Sequence, residues 1–266
     1  MSIAPSRPTI SPGELAEALS HGQHAVVLAV SRRRPGWAAS VPPRRRIPGA
    51  YVVDFDKLVG PSHPGGGENP LPTEAQLARL VRRWGVHDDT PVVVYSTDEV
   101  STATRVWWVL RWAGLADVRV LDGGLSAWQE AGGSLSDDEP AAGAGTASLR
   151  LGSLPTVDAE GAAQLARSGR LLDARGRAYL AGHIPGAISL PATAALHDGR
   201  IRGEAELRSL FGTFVGGDPV GAYCGSGVAG TVLVHVLHTL AVNAALYPGS
   251  WSAWSAEARP VATRLA

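Results

Sequence analysis

The sequence predicts an α/β protein made of two tandem copies of one domain, each a mainly parallel sheet flanked by helices. Two observations carry this. First, three motifs recur in the same order. Ile47-Pro48-Gly49-Ala50 returns as Ile184-Pro185-Gly186-Ala187, Val92-Val93-Val94-Tyr95-Ser96 as Val220-Gly221-Ala222-Tyr223-Cys224, and Leu121-Asp122-Gly123-Gly124 through Trp128 as Leu246-Tyr247-Pro248-Gly249 through Trp254. One shared tetrapeptide arises easily by chance; three in register mark a duplicated unit. Second, short apolar runs alternate with segments of helical period, the pattern of a parallel sheet covered on both faces.

In chain order, the first copy shows strands at 25–30, 92–95 and 118–121 and helices at 74–84 and 100–112. The second shows strands at 170–174, 220–223 and 244–247 and a helix at 204–210. A further helix at 228–240 places Val228, Val232, Val236 and Leu240 on one side, with Leu233 and Leu237 beside them. The first domain is predicted to span residues 1–133 and the second 153–266. Residues 134–152, small, polar and acidic without an apolar period, are read as a linker.

Composition narrows the function. The 266 residues carry 24 Lys and Arg against 24 Asp and Glu, so no charge excess argues for nucleic acid or an anionic membrane as partner. A single cysteine rules out an internal disulfide framework and a cysteine-rich metal site, and fits a reducing compartment; a cytoplasmic protein is expected. Residues 1–24 lack the apolar core of a secretory signal, and no apolar run of about 18 residues is long enough to span a bilayer. His235 and His238 lie three apart on a predicted helix with no Cys or acidic neighbour in sequence, so helix packing is preferred to metal binding.

The lone Cys224 is where the chemistry is expected. An apolar strand delivers it to Gly225-Ser226-Gly227, and a helix follows at once. Successive N–H groups in such a turn, backed by a helix N-terminus, favour negative charge and so the thiolate, the nucleophilic form. A cysteine that only packs has no need of Gly225 and Gly227, whose role is tight turning and close backbone approach. In an open parallel sheet, ligands bind beyond the carboxyl ends of the strands, which is where Cys224 falls.

Taken together, Asp173-Ala174-Arg175, Gly182-His183-Ile184-Pro185-Gly186-Ala187, Cys224-Gly225-Ser226-Gly227-Val228 and Gly249-Ser250-Trp251-Ser252-Ala253-Trp254 resemble the rhodanese superfamily, specifically its tandem-domain sulfurtransferases. The resemblance implies a catalytically silent first domain. Ser96 stands at the position of Cys224, and Thr97-Asp98-Glu99 replaces the glycine turn with acids that repel an anion. It also implies a cycle in which Cys224 accepts sulfur as a persulfide and hands it on, without a cofactor or a metal. The amides of Gly225, Ser226, Gly227, Val228 and Ala229 are the expected donors to the bound anion, with the Ser226 hydroxyl available to the sulfur donor. The acceptors implied are cyanide, a small thiol or a thioredoxin-like protein.

Thiosulfate-preferring relatives carry basic residues just after the cysteine. This turn has none before Gly230 and resembles the 3-mercaptopyruvate enzymes. Arg177 is the candidate for the substrate carboxylate. Arg175 belongs to the same substrate-binding set, with a structural pairing to Asp173 preferred for it. The usual second arginine before Gly182 is missing, since the segment is shorter. From the first domain, Asp56 and Asn69 are expected contributors. They fall in the pattern of an acid–base relay to Ser226, in which Asn69 stands where a histidine is expected and is read as orienting a water or the donor; His63 is a weaker substitute for that histidine. Two alternatives stay open: a thiosulfate:cyanide sulfurtransferase, and a non-catalytic sulfur carrier. A cysteine phosphatase or arsenate reductase needs an arginine six residues after the cysteine, where this chain has Gly230. The triplets Arg32-Arg33-Arg34 and Arg44-Arg45-Arg46 are read as solvated loop charge.

Overall fold

The computed structural model describes residues 7–32, 45–97 and 99–263; Arg33, Arg34, Arg44 and Asp98 lie outside them. The chain divides into two compact units, residues 1–58 with 72–153, and residues 59–71 with 154–266.

The first unit contains β1 (Thr9–Ile10), α1 (Pro12–Ser20), β2 (Val26–Ser31), β3 (Tyr51–Asp54), α2 (Glu74–Arg83), β4 (Val92–Ser96), α3 (Val100–Trp112), β5 (Val118–Leu121) and α4 (Gly124–Glu130). Its five strands form a parallel sheet in the order β1-β5-β4-β2-β3. The inner strands β2 and β4 are buried at every residue, as their unbroken Val-rich runs require when helices cover both faces. Helix α3 is buried along nearly its whole length, and the Trp107 indole donates to the Val118 carbonyl.

The second unit contains α5 (Ala159–Arg167), β6 (Leu171–Asp173), α6 (Ala178–Ala181), β7 (Ile188–Ser189), the hairpin β8 (Leu196–His197) and β9 (Arg200–Ile201), α7 (Glu204–Phe211), β10 (Gly221–Tyr223), α8 (Gly230–Thr239), β11 (Ala245–Leu246) and α9 (Ser250–Ala256). The sheet order β11-β10-β6-β7 is parallel throughout. Helix α8 starts two residues later than the apolar period predicts, because Gly227 adopts a left-handed φ of 79° and the preceding residues form the turn.

The duplication extends to single hydrogen bonds. In each unit a tyrosine of the central strand accepts the N–H of the isoleucine in Ile-Pro-Gly-Ala: Tyr95 from Ile47 and Tyr223 from Ile184, both at 3.2 Å. The residue before that isoleucine pairs with the end of its own domain, Arg46 with Ser136 and His183 with Ala262.

Two further features depart from the sequence reading. The 134–152 segment is a strap along the first unit rather than a free linker. Arg46 donates to the Ser136 and Asp137 carbonyls, Gly143 N–H to Arg83, Gly145 N–H to Arg82 and Arg150 N–H to Ala113. Its glycines permit close approach: a Cβ on Gly143 would lie 2.5 Å from the Gly85 backbone. Second, residues 59–71, placed by sequence in the first domain, belong to the second unit. Among the described residues, no helix is long and apolar enough to cross a membrane, and no group of three or more His, Cys, Asp or Glu side chains could hold a metal ion.

Candidate active site

The carboxyl ends of β6 and β10 sit side by side, with Asp173 registered against Tyr223. Cys224 leaves β10 at this edge and is buried. Its N–H donates to Ser250 Oγ at 3.1 Å, and Ser250 Oγ, 4.0 Å from the Cys224 Sγ, donates to the Tyr247 carbonyl at 2.9 Å. Beside the thiol, Gly225 and Ser226 are half-buried, and a Cβ on Gly225 would meet nothing within 4 Å, so one side of the turn is open.

The turn is tied down from outside. Trp251 N–H donates to the Cys224 carbonyl at 2.9 Å and Ser252 N–H to the Gly225 carbonyl at 2.8 Å. Trp251 and Trp254 thus brace the second domain at its active edge, the Trp254 indole donating to the Pro260 carbonyl. Among the described residues, the amides of Gly225, Ser226, Val228 and Ala229 donate to no protein oxygen, and neither does the Ser226 hydroxyl. Gly227 is required twice over: its φ is left-handed, and a Cβ there would stand 2.3 Å from the Pro248 carbonyl oxygen. Gly227→Ala is therefore expected to cost about 1–3 kcal/mol of stability and to lower sulfur transfer by opening the turn, measured by denaturant unfolding alongside turnover.

Beneath the turn, Asp173 is 0% exposed and accepts from the Arg175 Nε and Nη2 groups, the latter at 2.7 Å, and from the Tyr223 hydroxyl. Arg175, its side chain 8% exposed, also donates to the Gly182 carbonyl at 2.8 Å and lies 4.4 Å over the Trp251 ring. Burial, and then the Asp173 charge, push the Tyr223 phenol well above its ordinary range, so it stays a neutral donor to the carboxylate. The Arg175 guanidinium, placed in the substrate-binding set with a pairing to Asp173 preferred, is thus engaged by Asp173 and the Gly182 carbonyl. Arg177 is exposed at the start of α6, and its side chain has no partner among the described residues.

The relay pattern is altered. Asn69, expected from the first domain, is part of the second unit, 6% exposed, and its side-chain N–H donates to the Ser226 carbonyl at 2.8 Å. It grips the backbone of the turn, not the Ser226 hydroxyl. Asp56 lies exposed in a short helical turn of the first unit, Phe55–Leu58, its N–H donating to Asp54. His63 donates its Nδ1–H to the Pro64 carbonyl and packs over Gly66. Sequence reasoning assigned no role to Ser250; its signal was its place directly after the repeated Gly124/Gly249 position.

In the first unit, Ser96 ends β4 as Cys224 follows β10, and Glu99 stands just before α3, where its carboxylate accepts from the Ser101 hydroxyl without capping the helix backbone. A family model described as the Rhodanese-like domain matches residues 11–131 and 158–257, covering both units. The chain belongs to the rhodanese family. Among its rhodanese relatives, Mycobacterium tuberculosis SseB, whose name carries a provisional assignment as a thiosulfate sulfurtransferase, is 38% identical over 95% of both chains. A Pseudomonas aeruginosa protein named as a probable 3-mercaptopyruvate sulfurtransferase is 38% identical over 86% of this chain and 88% of its own. The crystal structure of the Escherichia coli 3-mercaptopyruvate sulfurtransferase SseA superposes with a TM-score of 0.79 at 27% identity, covering 93% of this chain and all of that one. These similarities make this rhodanese a sulfurtransferase.

Proposed function

We propose that this sulfurtransferase takes sulfur from 3-mercaptopyruvate onto Cys224 as a persulfide and passes it to a thiol, small or thioredoxin-like, or to cyanide. The observation that carries this reading is the turn itself: one thiol beside backbone amides with no protein partner, and no basic side chain before Gly230. The Cys224 thiolate attacks the donor sulfur. An S–S bond forms as the C–S bond breaks, and its electron pair leaves on carbon as the enolate of pyruvate. That enolate takes up the proton of the donor thiol, and pyruvate departs. An acceptor thiolate or cyanide then attacks the outer sulfur, the S–S bond breaks, and the Cys224 thiolate returns. The outer sulfur carries negative charge between the two steps, and preorganised N–H donors of the Gly225–Ala229 turn suit it. Arg177, unpaired among the described residues, suits the donor carboxylate, because a guanidinium fork pairs with it bidentately.

Thiosulfate is the second reading. It is favoured by the name of SseB, which matches a larger share of this chain than the mercaptopyruvate relatives do. Thiocyanate production from cyanide with each donor separates the two. The expected result is a higher kcat/KM with 3-mercaptopyruvate; a higher value with thiosulfate would reverse the donor assignment, and no thiocyanate from either would leave Cys224 a passive sulfur carrier.

A further inference from the structure

Ser250 carries a side chain on a backbone that disfavours one. It opens α9 with a left-handed φ of 52° and is 0% exposed. Helix α4 of the first unit also opens on a left-handed residue, Gly124 with a φ of 57°, where a Cβ would stand 2.8 Å from the Ser96 carbonyl oxygen. The unit with Ser96 therefore has no side chain at this helix start. The unit with the thiol has a hydroxyl there, held on strained backbone.

The strain brings that hydroxyl to Cys224. Ser250 Oγ accepts the Cys224 N–H at 3.1 Å, donates to the Tyr247 carbonyl at 2.9 Å and lies 4.0 Å from Cys224 Sγ. A hydroxyl has one proton and turns to suit its acceptor. Here a neutral carbonyl and a sulfur compete for it, and an ionised acceptor makes the stronger bond. We infer that Ser250 is a further catalytic residue, whose hydroxyl turns from the Tyr247 carbonyl to Cys224 Sγ whenever that sulfur bears the negative charge. The two sulfurs of the cycle then have separate donors. In the persulfide the charge sits on the outer sulfur, which the amides of Gly225, Ser226, Val228 and Ala229 suit. When an acceptor takes the outer sulfur, the S–S bond breaks and its electron pair returns to Sγ, beside the Ser250 hydroxyl. A thiolate stabilised in this way leaves faster. This second role rests on the Cys224 persulfide reading; the effect on the free thiolate does not.

Ser250→Gly and Ser250→Ala test it in the full chain. Both remove the hydroxyl, but they differ in strain, since glycine adopts a left-handed φ freely and alanine does not. Cys224 is the only cysteine, so the ultraviolet absorbance of its thiolate, taken as the difference from the matching Cys224→Ser protein, follows that one group. The midpoint of this titration is expected to rise by about one pH unit in both variants, a tenfold change in ionisation. The charged and titratable groups on neighbouring elements are the same in every protein compared: Asp173, Arg175 and Tyr223 at the sheet edge, Arg177 at the start of α6, and His63 and Glu68 in the 59–71 segment. Loaded with 3-mercaptopyruvate or thiosulfate and then freed of donor, both variants should pass sulfur to cyanide about threefold more slowly than wild type. A wild-type midpoint in both variants overturns the inference. So does a midpoint that moves in Ser250→Ala and not in Ser250→Gly, because it then follows strain and not the hydroxyl. A wild type that cannot be loaded overturns the persulfide reading, while the titration, which needs no sulfur donor, still decides for or against Ser250.

Discussion

Cys224→Ser is expected to abolish thiocyanate formation from either donor, a loss on the order of a thousandfold or more, while leaving the fold intact. The substitution exchanges sulfur for oxygen at a buried position and keeps the backbone bond from residue 224 to Ser250 Oγ. A serine hydroxyl is weakly acidic and forms no stable per-sulfur adduct, so both halves of the cycle stop. The protein contains its own precedent: Ser96 ends the equivalent strand of the first unit. Mass spectrometry completes the test. Wild type treated with donor should gain about 32 Da on Cys224, the mass of one sulfur, and the variant should gain nothing. Residual turnover in Cys224→Ser would place the sulfur elsewhere.

Asp173→Ala is expected to cost about 3–5 kcal/mol of stability, read by denaturant unfolding. The carboxylate is fully buried and compensates the Arg175 guanidinium, which is nearly as buried, and it takes the Tyr223 hydroxyl as well. Its removal leaves a buried charge without a counterpart, the expensive half of any internal ion pair. Replacing both partners, Asp173→Leu with Arg175→Met, should cost less than the single change, since an apolar pair needs no compensation. Activity should fall too, because Arg175 holds the Gly182 carbonyl and lies over Trp251, whose N–H holds the Cys224 carbonyl. A cost under about 1 kcal/mol for Asp173→Ala would show that the pair is not what secures this edge.

Much of the fold is legible in the chain because its signals are local. The Val-rich runs of β2 and β4, the helical period of α3 and the Cys224 turn each depend on neighbours a few residues away. Some short helices had legible starts that apolar period alone does not reveal. Ser11 and Glu14 form a capping box ahead of α1, with Pro12 at its first position, and Asp158 caps α5. That residues 134–152 pack as a strap is not legible in the chain, because glycine looks the same in an open linker and in a close backbone crossing; only the Gly85 contact distinguishes them.

The sequence alone determined that the protein is a duplicated α/β chain, that one copy retains a thiol where the other has Ser96, and that this thiol sits in an uncharged glycine turn. Those are properties of order, period and residue type. Only the tertiary structure decided that Arg175 is engaged by the fold, that residues 59–71 belong to the second unit, and that Asn69 grips the Ser226 carbonyl. The Asn69–Ser226 bond joins residues 157 apart. Its donor and acceptor meet because residues 59–71, far from Ser226 in the chain, pack on the start of α9 beside the Cys224 turn, and side-chain periodicity, which reports only the near neighbours of a residue, carries no trace of that meeting.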